Sequence, residues 1–194
     1  MIAGHFGLAA GVKAREQAVP LWALMLATQW LDVIFVPLFL AKIETIEVIG
    51  GGAAGYGNGI IHADYTHSLF GAIVLSGLFG LLGGLRWGRR AAGILGAVAF
   101  SHWILDLVVH RHDLPIWPAA APGAVRVGLG LWRWPLAAAA AELALVLWGG
   151  ITYLRAAVAV ARANDPTKIR RARMAGATVI GAGLLTLALG LAGM

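Results

Sequence analysis

Long apolar stretches dominate the chain and alternate with short polar segments. Four of them have about the 20 residues that a helix needs to cross a hydrocarbon core of roughly 30 Å, namely residues 19–41, 66–85, 91–110 and 135–160. A fifth stretch, 174–194, is rich in Gly, Ala and Leu and carries no charge. The pattern predicts an all-α, polytopic membrane helical bundle with about five transmembrane helices.

The first apolar stretch, residues 2–12, is too short to cross a bilayer. It predicts a short N-terminal helix that either re-enters the bundle or lies at the membrane interface. The chain shows no internal repeat and no separable soluble segment. Residues 1–194 are therefore expected to form a single integral membrane domain.

Composition supports the membrane interpretation. Hydrophobic residues make up 60% of the chain and charged residues 12%, with a mean hydropathy of +0.81. A soluble domain usually carries about 25% charged residues, so lipid is expected to cover much of this protein. Because the chain has no cysteine, disulfides and thiolate metal sites are excluded.

The net charge of +6 could indicate a nucleic-acid partner, but the basic residues lie in short segments beside the apolar stretches. The positive-inside rule explains this placement more simply and puts those segments in the cytoplasm. We therefore expect a multi-pass protein of the bacterial inner membrane, with membrane lipid and no nucleic acid as partner. The basic residues that set this orientation are Lys13, Arg15, Arg86, Arg89, Arg90, Arg162, Lys168, Arg170, Arg171 and Arg173.

Ionisable residues inside the apolar stretches need a partner or a function, because burying them in lipid is costly. Asp32, His67, Asp106 and Glu142 fall on four different predicted spans. At about 1.5 Å of rise per residue, Asp32, Asp106 and Glu142 lie about 10 Å below the outer (periplasmic) surface, and His67 lies just inside that surface. His102 lies one turn before Asp106 on the same helix face. These spans therefore place a polar layer in the outer half of the membrane.

A metal ion would neutralise several carboxylates of this layer together. The structural alternative is a set of imidazole–carboxylate hydrogen bonds without an ion. Ligand sets of His, Asp and Glu suit zinc, and also manganese or iron. If the N-terminal helix re-enters the bundle, His5 joins the layer. The predicted metal ligands are His5, Asp32, His67, His102 and Asp106.

Glu142 and Asp64 are the candidate catalytic bases, since each lies beside predicted ligands. His110 continues the His102/Asp106 stripe by one more turn, and no role is assigned to it. His62, His112 and Asp113 fall in predicted loops and have no assigned role either. The glycine-rich stretch Gly50–Gly59 is expected to be a flexible loop.

Several short motifs, in this order and spacing, resemble the predicted inner-membrane metal-dependent hydrolases, a family also labelled LexA-binding and YdjM-related. That family has an early histidine, a Pro-Asp-x-Asp step, a His-Arg-Gly-x-Thr-His-Ser segment and a later His-x3-Asp. The matching segments are His5, Gln29-Trp30-Leu31-Asp32, His62-Ala63-Asp64-Tyr65-Thr66-His67-Ser68-Leu69 and Ser101-His102-Trp103-Ile104-Leu105-Asp106. The first aspartate of the family's acidic step is absent here, and Ala-Asp replaces Arg-Gly.

The resemblance covers roughly residues 1–113 and implies metal-dependent hydrolysis, with one or two zinc ions held by the predicted ligands. The chain also resembles, more distantly, the zinc-dependent phospholipase C and P1 nuclease group, which implies phosphoester chemistry on a lipid. The leading hypothesis is a membrane-embedded hydrolase of an amphiphilic or lipid substrate. Two alternatives use the same residues: a protein that transports ions, protons or small solutes, and a non-catalytic structural or regulatory subunit.

Overall fold

A computed structural model describes residues 1–48, 59–119 and 124–192. Six α-helices lie within these residues, joined by short strands and two single-turn 3₁₀ helices (Leu131–Arg133 and Pro166–Lys168). The helical class predicted from the sequence is therefore confirmed. The helices are α1 (Ile2–Arg15), α2 (Leu21–Thr28), α3 (Trp30–Leu40), α4 (Leu69–Val109), α5 (Pro135–Asn164) and α6 (Ile169–Leu191).

Three helical segments of the described chain are long and apolar enough to cross a membrane: α4, α5 and the segment Pro166–Leu191, which contains α6. Helices α2 and α3 pass the same test only together, and they meet at a bend of 51°. The structure therefore contains three such helices, or up to four if the bent pair is one span. This agrees with membrane association, whereas the predicted count of five spans is not confirmed.

Helix α4 reverses its direction at Gly88. This residue has φ 85° and ψ 174°, which is outside the helical range and suits a residue without a Cβ. On either side of it the chain packs against itself: a Cβ on Gly80 would lie 3.0 Å from Gly96 Cα. A straight helix of 41 residues would measure about 62 Å, twice the hydrocarbon thickness. The segments 69–87 and 89–109 instead form an antiparallel helical hairpin.

Helix α1 packs inside the bundle, mainly against α5. The two backbones meet at Gly7 and Gly149, where a Cβ on either residue would collide with the other helix. Small residues allow this kind of close approach between membrane helices. Of the two placements considered for the N-terminal segment, the structure has the one within the bundle, which buries His5.

The predicted span 19–41 is not one continuous helix. It breaks at Gln29, whose φ of −109° and ψ of 5° end α2 before α3 begins. The sequence carries no proline or glycine at this point, so local helix propensity does not predict the break.

Two small antiparallel hairpins lie where only loops were predicted. Strands β1 (Thr45–Val48) and β2 (Gly59–His62) form one, and β3 (Leu114–Pro115) and β4 (Arg126–Val127) form the other. The glycine-rich stretch predicted as a flexible loop lies outside the described residues, except for Gly59, which begins β2. Ile46 and Ile61 of the first hairpin line the cavity of the site described next.

Candidate metal centre

The structure brings together all five residues that the sequence predicts as metal ligands. They arrive from separate segments: His5 from α1, Asp32 from α3, His67 from the turn before α4, and His102 and Asp106 from its second half. Four of them are buried, whereas the Asp32 side chain is 39% exposed. A set of residues distant in the sequence thus converges on one small volume.

Three ligand atoms, from His67, His102 and Asp32, form a close triangle, and an oxygen of Asp106 lies beside it. His67 Nε2 lies 3.3 Å from His102 Nε2 and 3.4 Å from Asp32 Oδ1, and His102 Nε2 lies 3.6 Å from Asp32 Oδ1. Asp106 Oδ2 lies 3.0 Å from His102 Nε2 and 3.7 Å from His67 Nε2. Tetrahedral zinc with ligand bonds of about 2.0–2.1 Å separates its ligand atoms by about 3.4 Å. The three edges of the triangle, 3.3–3.6 Å, match this spacing for one such ion.

Hydrogen bonding fixes the orientation of His102. Its Nδ1 lies 2.6 Å from the carbonyl oxygen of Thr28. A carbonyl can only accept, so Nδ1 is the donor and, in the neutral ring, Nε2 presents a lone pair to the cluster. The Thr28 carbonyl is available because the helix breaks at Gln29, immediately after it.

A relay of side chains fixes His67 in the same way. The Thr66 hydroxyl donates to Glu44 Oε2 at 2.8 Å, so it accepts from His67 Nδ1, also at 2.8 Å. Glu44 is fully buried, and its Oε1 also accepts from the backbone N–H groups of Tyr65 and Thr66. In the neutral ring, His67 Nε2 therefore carries a lone pair that faces the cluster.

Acceptor atoms consequently face acceptor atoms at the centre of the cluster. The lone pairs of His67 and His102 lie opposite each other and opposite the carboxylates of Asp32 and Asp106. While both rings are neutral in these tautomers, none of the four atoms can donate a hydrogen bond to another. A cation bound among these atoms satisfies this arrangement.

His5 completes the cluster from the other side of Asp106. Its ring stacks on the His102 ring, with 4.0 Å between centroids, and its Nε2 lies 3.3 Å from Asp106 Oδ1. The residue is buried, yet within the described chain neither ring nitrogen makes a hydrogen bond of acceptable geometry. Buried polar atoms normally have a partner, so His5 is also available to bind an ion.

A cavity of about 360 Å³ reaches the cluster. Ligand sites usually measure about 300–1,000 Å³, so this cavity can take a small polar group but not a whole lipid. Apolar side chains from α3 and from the first hairpin form much of its wall. Its lining residues include the cluster residues His5, Asp32, His67, Asp106 and His110, and the apolar residues Ile2, Phe35, Val36, Ile46, Ile61 and Trp132.

The two predicted bases lie outside the groups whose ligand atoms are close together. Among the described residues these groups are His5/His102/Asp106 and Asp32/His67/His102. Glu142 is buried, and its Oε2 accepts from the backbone N–H of Gly4 in the first turn of α1, at 3.1 Å. Asp64 Oδ1 forms an ion pair of 2.9 Å with Arg126. A role as base stays a prediction for both residues.

Sequence reasoning assigned no role to four residues that support the cluster: Glu44, Thr66, His110 and Asp113. His110 Nδ1 lies 3.0 Å from Asp113 Oδ1, and both side chains are buried. The four-residue spacing from His102 through Asp106 to His110 was a usable signal. The sequence carried no such signal for Glu44, because Glu44 contacts Thr66 only after the chain between them has folded.

Comparisons of the chain with protein-family models, with curated proteins and with solved structures found no match. The resemblance to the membrane hydrolases therefore rests on the short motifs alone. What can be said about the chemistry of this centre comes from its geometry.

Proposed function

We propose that this chain is a polytopic, metal-dependent hydrolase of the bacterial inner membrane. In this proposal the five crossings predicted from the sequence are the two halves of the α4 hairpin, of about 20 residues each, the pair α2 and α3, and the helices α5 and α6. The positive-inside rule then directs the metal centre toward the periplasmic half.

The observation that carries the metal is the close triangle of His67 Nε2, His102 Nε2 and Asp32 Oδ1, with Asp106 Oδ2 beside it. His67, His102, Asp32 and Asp106 would hold it, and zinc suits two imidazoles with two carboxylates. When bound, such an ion activates water and polarises a scissile ester. The buried hydrogen bonds to Thr28 and to Thr66 orient the two rings toward it.

The cavity supports an amphiphilic substrate, such as a lipid phosphoester. Phe35 and Val36 of α3 line it, and Val36 is 53% exposed on the outside of the bundle, where lipid would lie. Asp32, the partly exposed ligand, lies on the same helix. A lipid head group could thus reach the cluster from the membrane while its chains stay in the bilayer.

For Glu142 we propose a positioning role. Its hydrogen bond to Gly4 ties α5 to the turn of α1 that carries His5. Asp64 is balanced by Arg126, and Arg126 also donates to the backbone carbonyl of Asp113. This ion pair would hold the turn before α4 against β4, which keeps His67 in place.

Metal analysis of the detergent-purified protein tests the proposal. We expect stoichiometric zinc in the wild type, loss of that metal in His102→Ala, and unchanged metal in the control His112→Ala, which alters an exposed histidine. A hydrolysis screen on phosphatidylglycerol and phosphatidic acid micelles should then show metal-dependent turnover. A wild type that binds no metal refutes the proposal; zinc flux into liposomes without turnover would favour transport instead.

A further inference from the structure

A second cavity, of about 490 Å³, lies between the end of α5 and the start of α6. It shares no lining residue with the cavity at the metal cluster. Small apolar side chains of both helices, such as Ala157 and Ala175, form part of its wall. The cavity is polar where it approaches the connection between the helices. Its polar lining residues are Asn164, Asp165, Lys168 and Arg171.

The polar part of this cavity is strongly basic. Residues 162–173 contain one acidic side chain, Asp165, and five basic ones, namely Arg162, Lys168, Arg170, Arg171 and Arg173. Asp165 already accepts from the Thr167 hydroxyl at 2.6 Å and from Lys168 Nζ at 3.0 Å. The four arginines are exposed, and within the described residues none of them forms an ion pair. Their positive charge is therefore available to an anion from outside the chain.

The position of the cavity along α5 favours a lipid as that anion. Asn164 lies about 33 Å along α5 from Glu142, which is close to the thickness of the hydrocarbon core. The cavity thus lies at the opposite membrane surface from the metal centre, beside the lipid head groups. Basic pockets between membrane helices bind anionic head groups, and a guanidinium matches a phosphate in shape. A free phosphate would use the charges alone, whereas a phospholipid also covers the apolar wall.

We infer that this cavity binds an anionic phospholipid of the cytoplasmic leaflet, with the phosphate against Arg171 and Lys168 and the acyl chains beginning along Ala157 and Ala175. The bound lipid connects the end of α5 to the start of α6 and stabilises their packing. Lys168 can take part although it pairs with Asp165, because its ammonium has three donors. The inference needs the crossings of α5 and α6 that the proposed function includes, but neither the metal nor hydrolysis.

Titration of phosphatidylglycerol into the protein in a neutral detergent tests the site. Native mass spectrometry counts the bound lipids, and the thermal midpoint reports stability. We expect one tightly bound phosphatidylglycerol and a higher midpoint, with at least about 10-fold weaker binding of phosphatidylcholine and no protection by inorganic phosphate. Arg171→Gln should weaken phosphatidylglycerol binding about 10-fold, because it removes a charge-assisted contact to the phosphate.

Arg173→Gln is the matched control, because it removes the same charge from the same segment. Two residues further along α6, its side chain leaves the helix about 200° away from that of Arg171, and it does not line the cavity. This variant should keep the wild-type affinity. Equal losses in the two variants would indicate a diffuse positive surface and overturn the site. Equal affinity for phosphatidylcholine, or full protection by inorganic phosphate, would overturn the anionic phospholipid as the occupant.

Metal content separates this inference from the proposed function. Both variants should retain the zinc of the wild type. A wild type that binds phosphatidylglycerol through Arg171 but holds no zinc would refute the metal centre and leave the lipid site. Both arginines are exposed, so both variants are expected to fold. If either fails to fold, the wild-type comparison of the two lipids and inorganic phosphate still decides the question.

Discussion

The Thr66 hydroxyl is the connection through which Glu44 orients His67, and removing it should weaken metal binding. Thr66→Val keeps the shape of the side chain but deletes the oxygen that donates to Glu44 and accepts from His67 Nδ1, each at 2.8 Å. Loss of an outer hydrogen-bond partner typically lowers metal affinity about 10- to 100-fold. That factor corresponds to about 1.4–2.8 kcal/mol of binding free energy.

The same substitution also affects folding of the metal-free protein, and the two effects can be separated. Glu44 would lose one of three hydrogen bonds and keep those from the backbone N–H groups of Tyr65 and Thr66. A lost hydrogen bond to a buried charged group costs about 1.5–3 kcal/mol. We therefore expect lower stability without metal, and a further loss of zinc affinity in whatever protein remains folded.

Competition with a zinc chelator, followed in detergent on folded protein, measures the affinity. Thr66→Ser keeps the hydroxyl and should therefore keep most of the wild-type zinc affinity. Thr152→Val is the matched control, because its hydroxyl bonds only to backbone carbonyls of α5, at Trp148 and Gly149. Zinc affinity in Thr66→Val equal to that of the wild type would refute the relay, whatever happens to stability.

Three further predictions concern packing and the ion. Gly149→Ala should lower the free energy of unfolding by about 1–3 kcal/mol, because the new Cβ collides with Gly7, whereas Gly181→Ala has open space and should not. Gly88→Ala should lower the free energy of unfolding by about 1–3 kcal/mol through its positive φ alone, with Gly93→Ala as the unstrained control. In either pair, a variant as stable as its control would contradict the argument for that glycine. Chelation should lower the thermal midpoint, since zinc at 100 times its dissociation constant stabilises by about 2.7 kcal/mol; an unchanged midpoint would count against a bound ion.

The general position of the cluster could be predicted because depth in a membrane follows from residue number. Asp32, His67 and Asp106 lie on different apolar stretches, yet counting about 1.5 Å per residue placed them in one layer. His102 followed from its spacing to Asp106. The apolar pattern that identified the spans thus also located their polar interruptions, and the structure brings these side chains within a few ångströms of one another.

The supporting groups could not be predicted in this way, because they depend on contacts between distant segments. Glu44 lies in a segment without a helical period. It acts on the site only through its hydrogen bond with Thr66, which lies in the turn after the first hairpin. The hairpin itself consists of two four-residue strands, too short for a clear alternating pattern. The break at Gln29 likewise has no proline or glycine to indicate it in the sequence.

The metal centre lies where helices end or break. The hydrogen-bonding needs of a backbone in lipid explain this location. A regular helix in lipid satisfies its own backbone, whereas a freed carbonyl or N–H needs another partner. Here the carbonyl freed at Thr28 accepts from His102, and the carbonyl of His67, just before α4, accepts from Trp103 Nε1 at 3.0 Å. Each break therefore supplies a fixed acceptor that orients a ring or holds the chain around one. The irregular backbone and the polar cluster are thus joined directly by hydrogen bonds at both points.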